Sequence, residues 1–206
     1  MSGIEHRERN GREKAAVTPA KPGMDRRARR TRQALHEALI QLMLERDYDQ
    51  VTVADVADAA NVGRSTFYAH YTDKDDLLRD GFGHLKAELR RALEENPATD
   101  AAPNDRLAFS RPLTEHLADN VHLYHALMAG RAGPIAGEEI RGVVIDFVRS
   151  GLAGGGKAAP ERTVQLVVGS YISLVTWWLD RGAKEPAADI DRAFRDFAQD
   201  GLAGGR

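Results

Sequence analysis

The stretch from Val51 to Lys74, VTVADVADAANVGRSTFYAHYTDK, constrains the fold more than any other part of the chain. It reads as two short helices joined by a tight turn. Thr52 stands before the first helix, where its hydroxyl can accept from an unpaired backbone N–H. Val53, Val56, Ala57 and Ala60 then share one face at helical spacing. Asn61-Val62-Gly63 forms the turn. Asparagine tolerates a left-handed backbone, and Val62 can plug the joint between the helices. The second helix, from about Arg64 to Tyr71, buries Phe67 and Tyr71 and leaves Arg64, Ser65, Thr66, Tyr68 and His70 outward. That set is unlike an ordinary solvated face, because these groups can hydrogen-bond base edges and phosphates.

This stretch resembles the helix-turn-helix of the TetR family of bacterial transcriptional repressors. That family carries a pattern close to T-(V/I)-x-x-(I/V)-A-x-x-A-G-V-S-x-G-(T/S)-(F/L)-Y-x-H-F, followed by a short linker to Lys. The chain matches at Thr52, Val53, Val56, Ala57, Ala60, Val62, Thr66, Phe67, Tyr68, His70 and Lys74, and the resemblance covers about Arg30 to Leu78. Three positions depart from the pattern: Asn61 replaces the usual Gly, Gly63 the usual Ser, and Ser65 the usual second Gly. Asn61 is a tolerable turn residue. Gly63 removes a capping hydroxyl from the second helix. Ser65 adds a side chain where backbone would approach DNA. Asp47 stands where family members usually turn left-handed at a Gly.

The resemblance implies an all-α fold, with an N-terminal three-helix helix-turn-helix DNA-binding domain joined to a helical effector-binding and dimerisation domain. It implies base reading by Arg64, Ser65 and Thr66. The Arg64 fork suits guanine, which offers two major-groove acceptors. It also implies phosphate contacts from Thr52, Tyr68, His70 and Lys74, which fix register without carrying sequence. For Tyr68 and His70 the alternative is packing against the first helix. Lys74 opens the next helix, where a cation opposes the helix dipole unless an anion lies nearby.

Charge placement agrees with a DNA partner. The net charge is −2, yet residues 1–33 hold ten basic residues against four acidic, and residues 75–206 hold 16 basic against 20 acidic. A basic front on an acidic body is expected to hold an anionic partner at the N-terminus. Residues 1–24 are polar and rich in Gly and Pro, and read as a disordered basic arm. Arg26, Arg27, Arg29 and Arg30 are either a solvated helix start or a segment lying along phosphates or in the minor groove. The first helix is predicted from about Arg27 to Arg46, with an apolar stripe of Leu35, Ala38, Leu39, Leu42 and Met43. Asp73, with Asp76 as a capping-box acid, opens a helix to about Glu95. Gly81 and Gly83 inside it mark either close packing or a hinge.

The expected division is therefore a basic arm at 1–24, a DNA-binding domain with its connecting helix at 25–95, and an effector-binding and dimerisation domain at 96–206. In the last part, Asp105 to Asp119 reads as a helix kinked or split at Pro112. Further helices read at His122–Met128, Gly137–Leu152, Pro160–Arg181 and after Pro186, and Gly154 to Lys157 reads as a linker. Phe109, Tyr124, Met128, Phe147, Tyr171 and Trp177 are candidate lining for a small-molecule effector pocket, as the resemblance implies. Trp178, Ile190, Phe194 and Phe197 are candidates for a homodimer interface built from the last two helices.

Other classes fit poorly. No Ser/His/Asp order, convergent carboxylates or nucleotide loop supports an enzyme, and no cofactor is expected. His116, His122 and His125 lack a cysteine or well-placed carboxylate, so no metal is expected either. The chain has no cysteine, its first residues lack the apolar core of a signal peptide, and no run is long enough to span a membrane. A cytoplasmic regulator follows: a repressor that binds a palindromic double-stranded operator as a dimer and is released by an effector. The alternative is a DNA-binding regulator whose C-terminal part only dimerises or binds a protein.

Overall fold

The computed structural model describes residues 22–95, 105–153 and 158–203. Among these, the regular structure is helical: α1 Pro22–Glu45, α2 Val53–Ala59, α3 Arg64–Tyr68, α4 Lys74–Glu95, α5 Ser110–Asp119, α6 Val121–Met128, α7 Ala132–Leu152, α8 Glu161–Leu179 and α9 Ala187–Ala203. A single 3-10 turn, Tyr48–Gln50, follows α1. The fold is all-α, as expected. Most of the expected arm, the stretch at 96–104 and the linker at 154–157 lie outside the described residues. Residues 22–24, expected to close the arm, instead form the start of α1.

Local chemistry explains the element ends. Thr52 Oγ1 accepts from the Asp55 N–H at 3.2 Å, and the Asp55 carboxylate accepts from the Thr52 N–H at 2.8 Å, a complete capping box. At α4, Asp73 Oδ1 accepts from the Asp76 N–H at 2.8 Å, but Asp76 reaches back to the Thr72 N–H, at 2.9 Å, rather than to Asp73. Asn61 takes a φ of 54° in the turn between α2 and α3. Asp47 is extended, at φ −55° and ψ 136°, so the chain leaves α1 through the 3-10 turn and not through a left-handed residue. Pro112 neither kinks nor splits a helix. It lies in the first turn of α5, where its missing N–H would have had no intrahelical partner.

Two apolar cores result. The first joins Leu35, Leu39 and Met43 of α1 to Val56, Ala57, Phe67, Leu77 and Phe82. The second joins Phe109, Leu113, Val144, Phe147, Val168, Tyr171, Trp178 and Phe194 from α5 and α7–α9. The halves also touch directly. Ala132 and Ala136 of α7 are 0% exposed inside the first core, and Leu85, Met128 and Ile140 pack against both. A side chain larger than a methyl group at Ala132 or Ala136 would push the α6–α7 corner off α1. On α4, Lys86 pairs with Asp146 of α7, and Arg90 lies over the Phe147 ring.

Glycine is required where backbones meet most closely. A Cβ on Gly151 would lie 2.1 Å from the Arg106 carbonyl oxygen, whereas one on Gly83 would meet nothing within 4 Å. Gly151→Ala should therefore lower stability by roughly 1–3 kcal/mol through overpacking. Gly83→Ala should raise it by up to about 1 kcal/mol through helix propensity. Urea titration followed by circular dichroism reads both changes.

Candidate nucleic-acid interface

The buried side of the helix-turn-helix positions its exposed side. Phe67 is 0% exposed and anchors α3. Its ring meets the Tyr68 ring edge-on at 5.5 Å and the Tyr71 ring at 5.9 Å. With that face inward, Arg64, Ser65 and Tyr68 are exposed, Thr66 and His70 are half-buried, and Tyr68 keeps 60% of its surface. Most of the Tyr68 ring is thus free of the first helix. Sequence spacing predicts α3 to Tyr71, but its regular turns close at Tyr68. One further turn follows, in which the N–H groups of His70 and Tyr71 both bond the Phe67 carbonyl. Gly63 caps α3 with backbone only, its carbonyl accepting from Thr66 and Phe67 at 2.9 and 3.1 Å.

The start of α1 lies beside this face. A groove of about 350 Å³ is lined by Arg27, Ala28 and Thr31 of α1 and by Ser65, Thr66, Ala69 and His70. Arg26, Arg27, Arg29 and Arg30 are all exposed. The fold thus brings the basic segment and the polar face of α3 into one continuous surface. Thr31 and Ala28 are groove residues that the motif could not disclose, because they come from outside it.

Lys74 has a second set of partners that sequence spacing does not show. Its Nζ donates to the Tyr48 carbonyl at 2.6 Å and to the Val51 carbonyl at 2.8 Å, and lies 4.2 Å from the Tyr48 ring centre. The Tyr48 hydroxyl donates to Asp75 Oδ1 at 2.6 Å. Burial lowers the Lys74 pKa, while Asp75 and Asp49 pull it back up. Tyr48 is pushed above its usual range, first by burial and then by its bond to Asp75. Two of the three Lys74 N–H bonds thus point into the protein, which leaves one for an external anion. The cation at the start of α4, unfavourable for the helix dipole, is stabilised by those two carbonyls and the ring.

Most of the candidate effector residues lie in the second core. Phe109, Tyr124, Phe147 and Tyr171 are 2–7% exposed and packed together in the second core, Met128 is half-buried, and Trp177 is 42% exposed. Phe109 packs against the Phe147, Tyr171 and Phe194 rings. Tyr171 and Thr114 share a 3.0 Å hydroxyl contact. A cleft in this half is polar, about 290 Å³, and lined by Arg111, Asp191, Arg192 and Arg195 among others.

The dimer candidates divide. Trp178, Ile190 and Phe194 are 1–3% exposed within a single chain and pack in its own core. Trp178 is the inward member of its tryptophan pair, with Nε1–H donating to the Glu185 carbonyl at 3.0 Å. Adjacent helical residues point about 100° apart, and the carbonyl acceptor decides which one is inside. Phe197 is 68% exposed, and Leu166 and Trp177, eleven residues apart on α8, are 73% and 42% exposed. The histidines weighed as ligands are used otherwise: His125 Nε2 donates to the Leu179 carbonyl at 3.1 Å, His122 is exposed, and His116 is half-buried. The fold instead places His36, Asp80 and His84 within ligand distance of one another.

Comparison with known proteins follows the same surface. Residues 35–80 match the family model described as bacterial regulatory proteins, tetR family. The uncharacterized HTH-type transcriptional regulator YxbF of Bacillus subtilis is 42% identical over 67 residues, which are 32% of this chain and 18% of that protein. The chain matches between 18% and 36% of the length of its curated relatives. In fold, a TetR transcriptional regulator from Streptococcus agalactiae superposes with a TM-score of 0.61 at 24% identity, over 85% of this chain and 97% of the other. Thermus thermophilus FadR, a transcriptional repressor in complex with lauroyl-CoA, does so with a TM-score of 0.57 at 19% identity, over 83% and 94%.

Lys74→Met should show the inward role of the ammonium group. Losing two charge-assisted bonds and leaving two carbonyls without them should cost roughly 1–3 kcal/mol of stability. The measurement is the urea midpoint without DNA.

Proposed function

We propose, from the premise that this chain belongs to the TetR family of bacterial regulatory proteins, that it is a cytoplasmic repressor that binds a palindromic operator as a homodimer. One observation carries the reading: the outward set Arg64, Ser65 and Tyr68 lies beside the exposed arginines of α1 on one surface. Arg64, Ser65 and Thr66 read base edges, with Arg64 on guanine. Thr52, Tyr68, His70 and the remaining N–H of Lys74 hold phosphates, and Arg26, Arg27, Arg29 and Arg30 lie along the backbone or minor groove. In this reading residues 25–95 are the DNA-binding unit and residues 96–206 the effector-binding and dimerisation unit.

Dimerisation uses Phe197 on α9 with Leu166 and Trp177 on α8, the large apolar side chains these helices leave exposed. A twofold axis through that face presents two copies of α3 about one DNA turn apart, roughly 34 Å, or a multiple of it. An effector that binds better when α4 is tilted weakens DNA binding by the same factor, through linkage. Two routes carry such a change: α4 itself, and the α6–α7 corner seated on α1 by Ala132 and Ala136. The alternative, a body that only dimerises or binds a protein, is favoured by one observation: Phe109, Tyr124, Phe147 and Tyr171 are closed into the core.

Arg64→Ala should weaken operator binding by about 1–3 kcal/mol and relax preference at one base pair of each half-site. Selection of bound sequences from a random pool, followed by fluorescence anisotropy, measures both. An unchanged preference would remove Arg64 from base reading. Phe197→Asp should yield a folded monomer in sedimentation, whereas Phe194→Asp should unfold the chain by burying an unpaired charge.

A further inference from the structure

Away from the DNA-facing surface, α1 and α4 bring together a second cluster of chemically capable groups. His36 comes from α1, while Asp80 and His84 lie one turn apart on α4, and their ligand atoms all fall within 4.8 Å of one another. His36 Nε2 is 3.5 Å from Asp80 Oδ2, and His84 Nδ1 is 4.0 Å from the same oxygen. The two imidazoles meet edge-on, with centres 4.8 Å apart. The Tyr71 hydroxyl donates to the same Asp80 Oδ2 at 2.6 Å. Exposure rises across the cluster, from 12% for the His36 side chain through 41% for Asp80 to 52% for His84.

We propose that His36, Asp80 and His84 form a binding site for a divalent transition-metal ion, zinc foremost, which cross-links α1 to α4. Two imidazoles with one carboxylate suit zinc, cobalt or nickel, whereas magnesium and calcium select oxygen ligands. Three protein ligands around zinc leave a fourth position for water, and the exposed His84 side of the cluster is where solvent can reach it. Zinc bonds of about 2.0–2.1 Å place tetrahedral ligand atoms roughly 3.3 Å apart. The separations of 3.5 and 4.0 Å from Asp80 Oδ2, with all three ligand atoms inside 4.8 Å, close to that spacing by side-chain torsions. Asp80 and His84 sit four residues apart, so the helix itself holds them on one face.

The neighbours complete the arrangement. The Tyr71 hydroxyl fixes the orientation of the carboxylate, as outer partners of metal ligands do. His36 Nε2 is 3.1 Å from the Leu77 carbonyl. The ion takes over this nitrogen, and the ring keeps its proton on Nδ1. Arg32 brings a positive charge near the same ring, which tempers the affinity for a dication. Tyr71 also follows the exposed face of α3, so the cross-link reaches the element that fixes how α3 is held.

The test uses the full chain without a histidine tag. Wild type should bind one cobalt ion per chain with visible absorption, zinc should displace it, and zinc should raise Tm where the same concentration of magnesium does not. His84→Ala, at a half-exposed position, should keep its metal-free Tm and lose both responses. Asp80→Asn should lose them as well, and Tyr71→Phe should weaken binding by roughly tenfold. His122→Ala, at an exposed histidine elsewhere, should change neither response. Equal cobalt binding in wild type and His84→Ala would overturn the proposal. So would wild-type binding that does not saturate at one ion per chain. Both readouts are taken without DNA, so they stand apart from the operator-binding reading.

Discussion

The burial of Phe67 in the first core is the contact on which the outward face of α3 depends. One ring, 0% exposed, sets the rotation of α3. Because side chains on a helix are fixed about 100° apart, turning Phe67 inward turns Arg64, Ser65 and Tyr68 outward. The stripe of Leu35, Leu39 and Met43 supplies the floor on which α2 and α3 rest. Lys74 closes the perimeter by holding the carbonyls of Tyr48 and Val51, so the segment between α1 and α2 cannot lift away without exposing two paired acceptors. Polar chemistry on one side thus rests on apolar packing and a half-buried ammonium on the other.

The N-terminal half was legible in the sequence because its determinants are local. Thr52, Asn61 and Asp73 each act within three or four residues, and each acts in the structure at its expected place. What spacing could not disclose were partners distant along the chain. Lys74 meets Tyr48 and Val51 across more than twenty residues, and His36 meets Asp80 across forty-four. Asp76 shows the limit even of local rules: two possible backbone donors are adjacent, and the carboxylate took the one at Thr72.

The C-terminal half was legible as helices but not as faces. An α8 that is apolar on nearly all sides does not announce which side meets its own chain. Trp178 turned inward because its indole N–H found the Glu185 carbonyl beyond the end of α8, which no periodicity encodes. Pro112 was misleading for a related reason. Its effect depends on whether a helix has already begun, and α5 begins only two residues earlier. The aromatic residues read as pocket lining had enough neighbours to fill the space between them.

In the dimeric operator-binding reading proposed above, the shortness of α3 limits how much sequence one subunit can distinguish. Five residues at 1.5 Å rise span about 7.5 Å, and base pairs stack 3.4 Å apart. A helix of that reach, entering end-on, meets only a few letters, and a chromosome contains very many copies of any such short word. Discrimination then resides in coincidence: two short words at a fixed distance and phase are far rarer than either alone. In a dimer of the kind proposed, the rigidity that sets the distance between subunits carries information that α3 by itself is too small to hold.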